Sequence, residues 1–174
     1  MKPTPAPAPA PASTPTPTPT PTQTQTQTQT QTQTLYLAEP PAAYLARPAL
    51  VVDCSVLAAV LFEEASRDEA LARLCGRTLH APTLIDHEIA SVALEKHAQG
   101  WPPESISLAL ADYAEQALEL HRSDVAAQCE LAHRYGLSAY DAAYLWLAAD
   151  MKAPLATFDR KLGEAAQRHL GALQ

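Results

Sequence analysis

The stretch Leu137 to Asp159, reading LSAYDAAYLWLAADMKAPLATFD, constrains the fold more than any other part of this chain. A helix start at Ser138 to Asp141 runs into a long apolar helix. Lys152 to Pro154 breaks it, and Leu155-Ala156-Thr157 then reads as a short strand ending at Asp159. A helix handing over to a short apolar strand is half of a repeating β–α unit, which builds a parallel sheet. Open parallel sheets gather their sites at the carboxyl ends of the strands. Two carboxylates, Asp141 and Asp159, stand at neighbouring junctions of this kind. Upstream, Leu50-Val51-Val52 reads as a buried strand ending on Asp53. Pro82-Thr83-Leu84-Ile85-Asp86-His87-Glu88 opens a helix with another acid. Four acids at four such edges point to a divalent-metal site.

The first 34 residues place no such demand on the fold. They are Pro, Ala, Thr and Gln in near-dipeptide repeats, with Lys2 the only charge. Side chains this poor in apolar surface cannot offset the entropy of ordering the chain. The Pro-containing part is expected to be extended and polyproline-like, the Gln-Thr part flexible. Residues 1–46 therefore read as a disordered tail and connector, and residues 47–174 as one domain.

The formal charge of −7 belongs to that domain, because residues 1–46 hold one Lys and one Glu. An acidic domain is an unusual partner for nucleic acid. Committing four acids to metal leaves −3 of that −7, and bound divalent ions offset more. Cys54, Cys75 and Cys129 show no C-x-x-C spacing and read as buried, reduced thiols of a cytoplasmic protein. No apolar run approaches the ~20 residues of a membrane span, and the N-terminus lacks the apolar core of a secretory signal.

Strands are expected at Ala49–Cys54, Thr78–Ala81, Leu118–His121 and Leu155–Thr157. Helices are expected at 56–64, 66–76, 82–99, 104–117, from Ser123-Asp124 to Tyr135, from Ser138, and at 160–170. Ser55 is placed to cap the first helix, and Ser66-Arg67-Asp68-Glu69 reads as a capping box for the second. The alternation gives an α/β fold, a sandwich with a mostly parallel central sheet.

Each acid has a competing structural reading. Asp53 could cap the first helix, although an unpaired carboxylate ending a buried strand is costly. Glu88 could simply be a favourable acid near a helix N-terminus, and Asp86 is a rival two residues away. Asp141 stands three residues after Ser138, as in a capping box. Asp159 could cap the last helix. Taken jointly, the four suit a hard, oxygen-ligated Mg²⁺ or Mn²⁺ rather than zinc. Ser55 and Thr157 put hydroxyls beside two of them. The six histidines show no metal-binding spacing, and His87-Glu88 lacks the second histidine of H-E-x-x-H.

Four segments carry a resemblance: Val52-Asp53-Cys54-Ser55-Val56; Ala81 to Ile89; Gly136 to Tyr144; and Leu155-Ala156-Thr157-Phe158-Asp159. In order, spacing and context the chain resembles a PIN-domain ribonuclease, and more closely a VapC-type toxin of a bacterial toxin–antitoxin pair. The resemblance covers about residues 49–170. It implies that Asp53, Glu88, Asp141 and Asp159 form an acidic quartet holding one or two Mg²⁺ or Mn²⁺ ions, supported by Thr157. It implies a three-layer α/β/α sandwich, endoribonuclease activity, a homodimer, and inhibition by a cognate antitoxin. The repetitive tail is foreign to the family, and Ser91 stands where members often carry Asn. Paired metals can bind a scissile phosphate and lower the pKa of an attacking water. Arg160, Lys161 and Lys152 are candidates for guiding the RNA backbone, or are solvated helix ends. The apolar residues Leu57, Val60, Leu61, Phe62, Leu71 and Leu74 could line an antitoxin groove or only pack the core.

Two other classes compete. A haloacid-dehalogenase-like phosphatase would need a second Asp where Ser55 stands. A PIN-like RNA- or protein-binding module without turnover would retain the fold alone.

Overall fold

The computed structural model describes residues 47–172. The expected disordered segment, residues 1–46, lies outside them. The elements run β1 (Ala49–Val52), α1 (Cys54–Leu61), α2 (Arg67–Leu74), β2 (Thr78–Pro82), α3 (Ile85–Ala98), α4 (Pro103–Glu115), β3 (Leu118–His121), α5 (Val125–Tyr135), α6 (Ala139–Asp150), β4 (Leu155–Ala156) and α7 (Arg160–Gly171). The four strands form one sheet in the order β3-β2-β1-β4, and every pairing is parallel. Helices flank it, giving the parallel α/β sandwich that the alternation predicts.

Two local features set where the site lies. First, β1 is central and fully apolar, with Val51 and Val52 buried, so its carboxyl end delivers Asp53 into the middle of the sheet edge. Second, α6 is apolar on almost every side. Ala142, Ala143, Tyr144, Leu145, Leu147 and Ala148 are all buried, and the helix packs on β1, β2 and β4. A helix apolar all round belongs in the interior; each fully buried Leu there contributes about 1.5–3 kcal/mol. Gly136, in the left-handed conformation, ends α5 and lets the chain restart at Ser138. The first turn of α6, which holds Asp141, is therefore fixed by core packing behind it.

Several expectations fail for physical reasons. Ser66 has φ −89° and ψ 6°, not an extended N-cap conformation, and its side chain makes no capping bond. Cys75 and Cys129 are exposed; only Cys54 is buried. Of the proposed groove residues, Leu57, Leu61 and Phe62 are buried in the core, Val60 and Leu74 are half-buried against it, and Leu71 alone is exposed. These helices spend their apolar faces on the core. Among the described residues no helix is long and apolar enough to cross a membrane.

Candidate active site

Asp53 occupies the N-cap position of α1, yet its side chain makes no capping bond. The carboxylate is instead turned across the sheet edge. Its Oδ2 accepts hydrogen bonds from Ser55 Oγ at 2.6 Å and Thr157 Oγ1 at 2.8 Å. Each hydroxyl in turn accepts a backbone N–H from the loop after β4, Phe158 N–H to Ser55 Oγ at 3.0 Å and Asp159 N–H to Thr157 Oγ1 at 2.9 Å. Ser55 is thus not a helix cap but a strut. The two hydroxyls fix the orientation of Asp53, 7% exposed, and lock the loop bearing Asp159 against it.

Glu88 sits half-buried in the first turns of α3. Its Oε2 accepts a hydrogen bond from the phenol of Tyr144, which is fully buried in α6. Burial raises the Glu88 carboxyl above its ordinary value. The Tyr144 bond opposes this, and the charges of Asp53 and Asp141 push it further up. Those couplings place three of the four acids in one electrostatic neighbourhood. The same field acts on the buried Cys54 thiol, which burial first, and then Glu88, Asp53 and Glu64, push up to about 12. The rival Asp86 is exposed and held by the Tyr113 phenol of α4 at 2.7 Å. Ser91 is turned onto its own helix, its Oγ donating to the His87 carbonyl at 2.9 Å.

Asp141 and Asp159 are differently engaged. Asp141 Oδ2 accepts from Ser138 Oγ at 2.7 Å, and the Asp141 N–H donates to Ser138 Oγ at 3.0 Å, completing a capping box with the Ser138 N–H. Asp159, exposed, caps α7 by accepting the Leu162 N–H at 2.6 Å. The capping alternative is therefore realised at these two acids and rejected at Asp53. Lys161 Nζ donates to the Gly136 carbonyl, which ties the start of α7 to the α5–α6 junction. Arg160 pairs with Glu164 at 3.1 Å. Lys152 is exposed. It lines a groove of about 820 Å³ beside β4, shared with Thr157, Phe158, Glu69, Arg73 and Arg77.

The donors fit a hard cation. They are carboxylate oxygens with hydroxyls behind them, and a cation offsets the like charges of Asp53 and Asp141 around Glu88. Among the described residues no three of these carboxylates bring ligand oxygens within 4.8 Å of one another, a condition met only by His80, Glu119 and His121. Unscreened like charges favour this separation, each acid taking a neighbouring donor instead. Three features escape sequence reasoning. The Tyr144–Glu88 bond spans 56 residues, and Arg73 and Arg77 reach the groove only through the fold. The aromatic rings of Tyr140 and Phe158, 65% and 40% exposed, each stand immediately before an acid, and their exposure depends on the fold.

Comparison with known proteins gives two findings. Residues 50–167 match the family model described as PIN domain. A crystal structure of PAE2754 from Pyrobaculum aerophilum is similar in fold, with TM-score 0.52, 18% identity, 73% of this chain covered and 90% of that one. No curated protein matches the sequence.

Proposed function

The chain belongs to the PIN-domain family, and from that premise we propose that it is a metal-dependent endoribonuclease, the VapC-type toxin of a toxin–antitoxin pair. The observation that carries this reading is Asp53: a nearly buried carboxylate that forgoes its cap and is aimed by two hydroxyls into a neighbourhood shared with Glu88 and Asp141.

In this reading Asp53, Glu88, Asp141 and Asp159 hold Mg²⁺ or Mn²⁺. When bound, such a cation offsets charge on a scissile phosphate and lowers the pKa of a water. The protein's own residues do the rest. Ser55 and Thr157 hold Asp53 in one rotamer. Tyr144 holds Glu88. The backbone amides of Phe158 and Asp159 keep both hydroxyls oriented to donate. Lys161 keeps the two capped helix starts together. Tyr140 and Phe158 offer exposed faces on which unstacked bases can stack, and Lys152, Arg73 and Arg77 line a path for the phosphate backbone. Arg160, engaged by Glu164, is the weakest of the proposed backbone contacts. A cytoplasmic homodimer restrained by a cognate antitoxin completes the proposal.

The capping roles of Asp141 and Asp159 favour one second reading, an RNA- or protein-binding module without turnover. Incubating the purified chain with labelled total RNA and Mg²⁺ or Mn²⁺, against EDTA, decides between them. Metal-dependent fragments support the nuclease; retained but intact RNA supports the binding module.

A further inference from the structure

We infer a second metal site, for a zinc-type transition ion, at His80, Glu119 and His121 on the β2–β3 edge of the sheet. None of the elements bearing the four acids contributes to it. The strand register brings the three together. β2 and β3 pair in parallel with His80 opposite Glu119 and Pro82 opposite His121. Side chains alternate along a strand with period 2, so His80, Glu119 and His121 all stand on one face. His80 Nδ1 lies 3.0 Å from His121 Nε2 and 3.4 Å from Glu119 Oε2. One nitrogen or carboxylate oxygen from each residue falls within 4.8 Å of both others.

These spacings are close to those of ligands around one small ion. Two ligands at about 2.0–2.1 Å in tetrahedral geometry lie about 3.3 Å apart. The imidazole pair needs to open by only about 0.3 Å, and the Nδ1–Oε2 distance is already right. The burial gradient suits entry and retention. His80 is 6% exposed and fixed in the interior strand, His121 is half-buried, and the Glu119 side chain is 61% exposed at the edge. The Thr83 N–H to His121 carbonyl bond at 2.9 Å holds the strand ends in register, so the site is formed before any ion arrives. Two imidazoles and a carboxylate select a borderline ion such as zinc over Mg²⁺, and leave a fourth position for water. Bound there, the ion clamps the edge strand β3 to β2.

The test is equilibrium dialysis of the full, tag-free, metal-stripped chain against Zn²⁺ with excess Mg²⁺ present, followed by elemental analysis. One zinc per chain is expected. His121→Ala and Glu119→Gln, both changes at the outer strand, should each weaken zinc binding at least about tenfold while melting as folded proteins. Asp53→Asn should keep the zinc, which separates this site from the acidic one. No zinc on the wild-type chain, or zinc retained by His121→Ala, would overturn the inference and leave a hydrogen-bonded imidazole pair.

Discussion

Asp53 and Glu88 on one side, Asp141 and Asp159 on the other, are four acids of the same chemistry in two different situations. The first two give nothing to their helix ends. Asp53 makes no cap, and Glu88 accepts a hydrogen bond from a phenol of another helix. Ser55, two residues on, supplies one partner of Asp53; Thr157 and Tyr144, which hold Asp53 and Glu88, come from elements far away in the chain. The second two are engaged within their own helix starts, Asp141 with the Ser138 cap and Asp159 with the Leu162 N–H. A carboxylate satisfied by its own helix is explained by local structure alone. One held in place by residues 56 or 104 positions away is not, and that is where a functional demand shows first. The contrast also teaches that a cap does not preclude a ligand, since a capping carboxylate still has a second oxygen.

The largest effect is expected at the first pair. Asp53→Asn should cut RNA cleavage by about 10²-fold or more without lowering the melting temperature of the metal-free chain, because it removes a charge from a repulsive cluster. Cleavage at the wild-type rate would break the comparison at its strongest member. Next in size, Thr157→Val should cost about 10–100-fold in kcat, as expected of a residue that orients a ligand. It should leave RNA affinity unchanged, which single-turnover assays separate.

Tyr140→Ala sharpens the comparison from the substrate side. It should weaken RNA binding by about 1–3 kcal/mol, the worth of one stacked base, measurable by filter binding with EDTA present. The capping pair predicts a loss of stability. Asp159→Ala should cost about 0.5–2 kcal/mol in denaturant unfolding, and Asp159→Asn much less, since Asn also caps. Asp124 provides the control: it caps α5 through the Ala126 and Ala127 N–H groups, so Asp124→Ala should cost similar stability and no cleavage.

The smallest effect is a pH dependence at Glu88. Its carboxyl lies above the ordinary 4.5 in the fold, so the native state holds its proton more tightly than the unfolded chain. Stability from this group is full below pH 4.5 and is lost as pH rises through the raised value. The metal-free Glu88→Gln protein should therefore gain on wild type in melting temperature as pH rises from below 4.5 to 7. A difference flat across that range would contradict the burial of Glu88 and the charge around it.

Much of this was legible in the sequence, and the limit has a physical cause. The strand Leu118–His121 falls on the expected residues, because an alternating Leu-Glu-Leu-His run between two helices has few alternatives. The acids stood out because each interrupts an apolar pattern at an element boundary. What failed needed either backbone conformation or register. The Ser66 cap depends on φ and ψ that no residue list contains. The His80–Glu119–His121 cluster depends on which residue of β2 faces which of β3, and a shift of one would put His80 on the other face. In the sequence Tyr144 is one more large residue on an apolar helix, and only the folded chain brings its phenol to Glu88.

Asp141→Asn tests the central claim most directly, because Asn preserves the side-chain shape and much of the cap while removing one charged ligand. The measurement is cleavage of labelled RNA in Mn²⁺, with melting temperature recorded with and without the ion. If the four acids act as one metal centre, the variant melts like wild type without metal, loses most of the Mn²⁺-induced stabilisation and loses most cleavage. If Asp141 serves only its helix, cleavage and the Mn²⁺ shift both stay at wild-type levels, and the quartet is wrong.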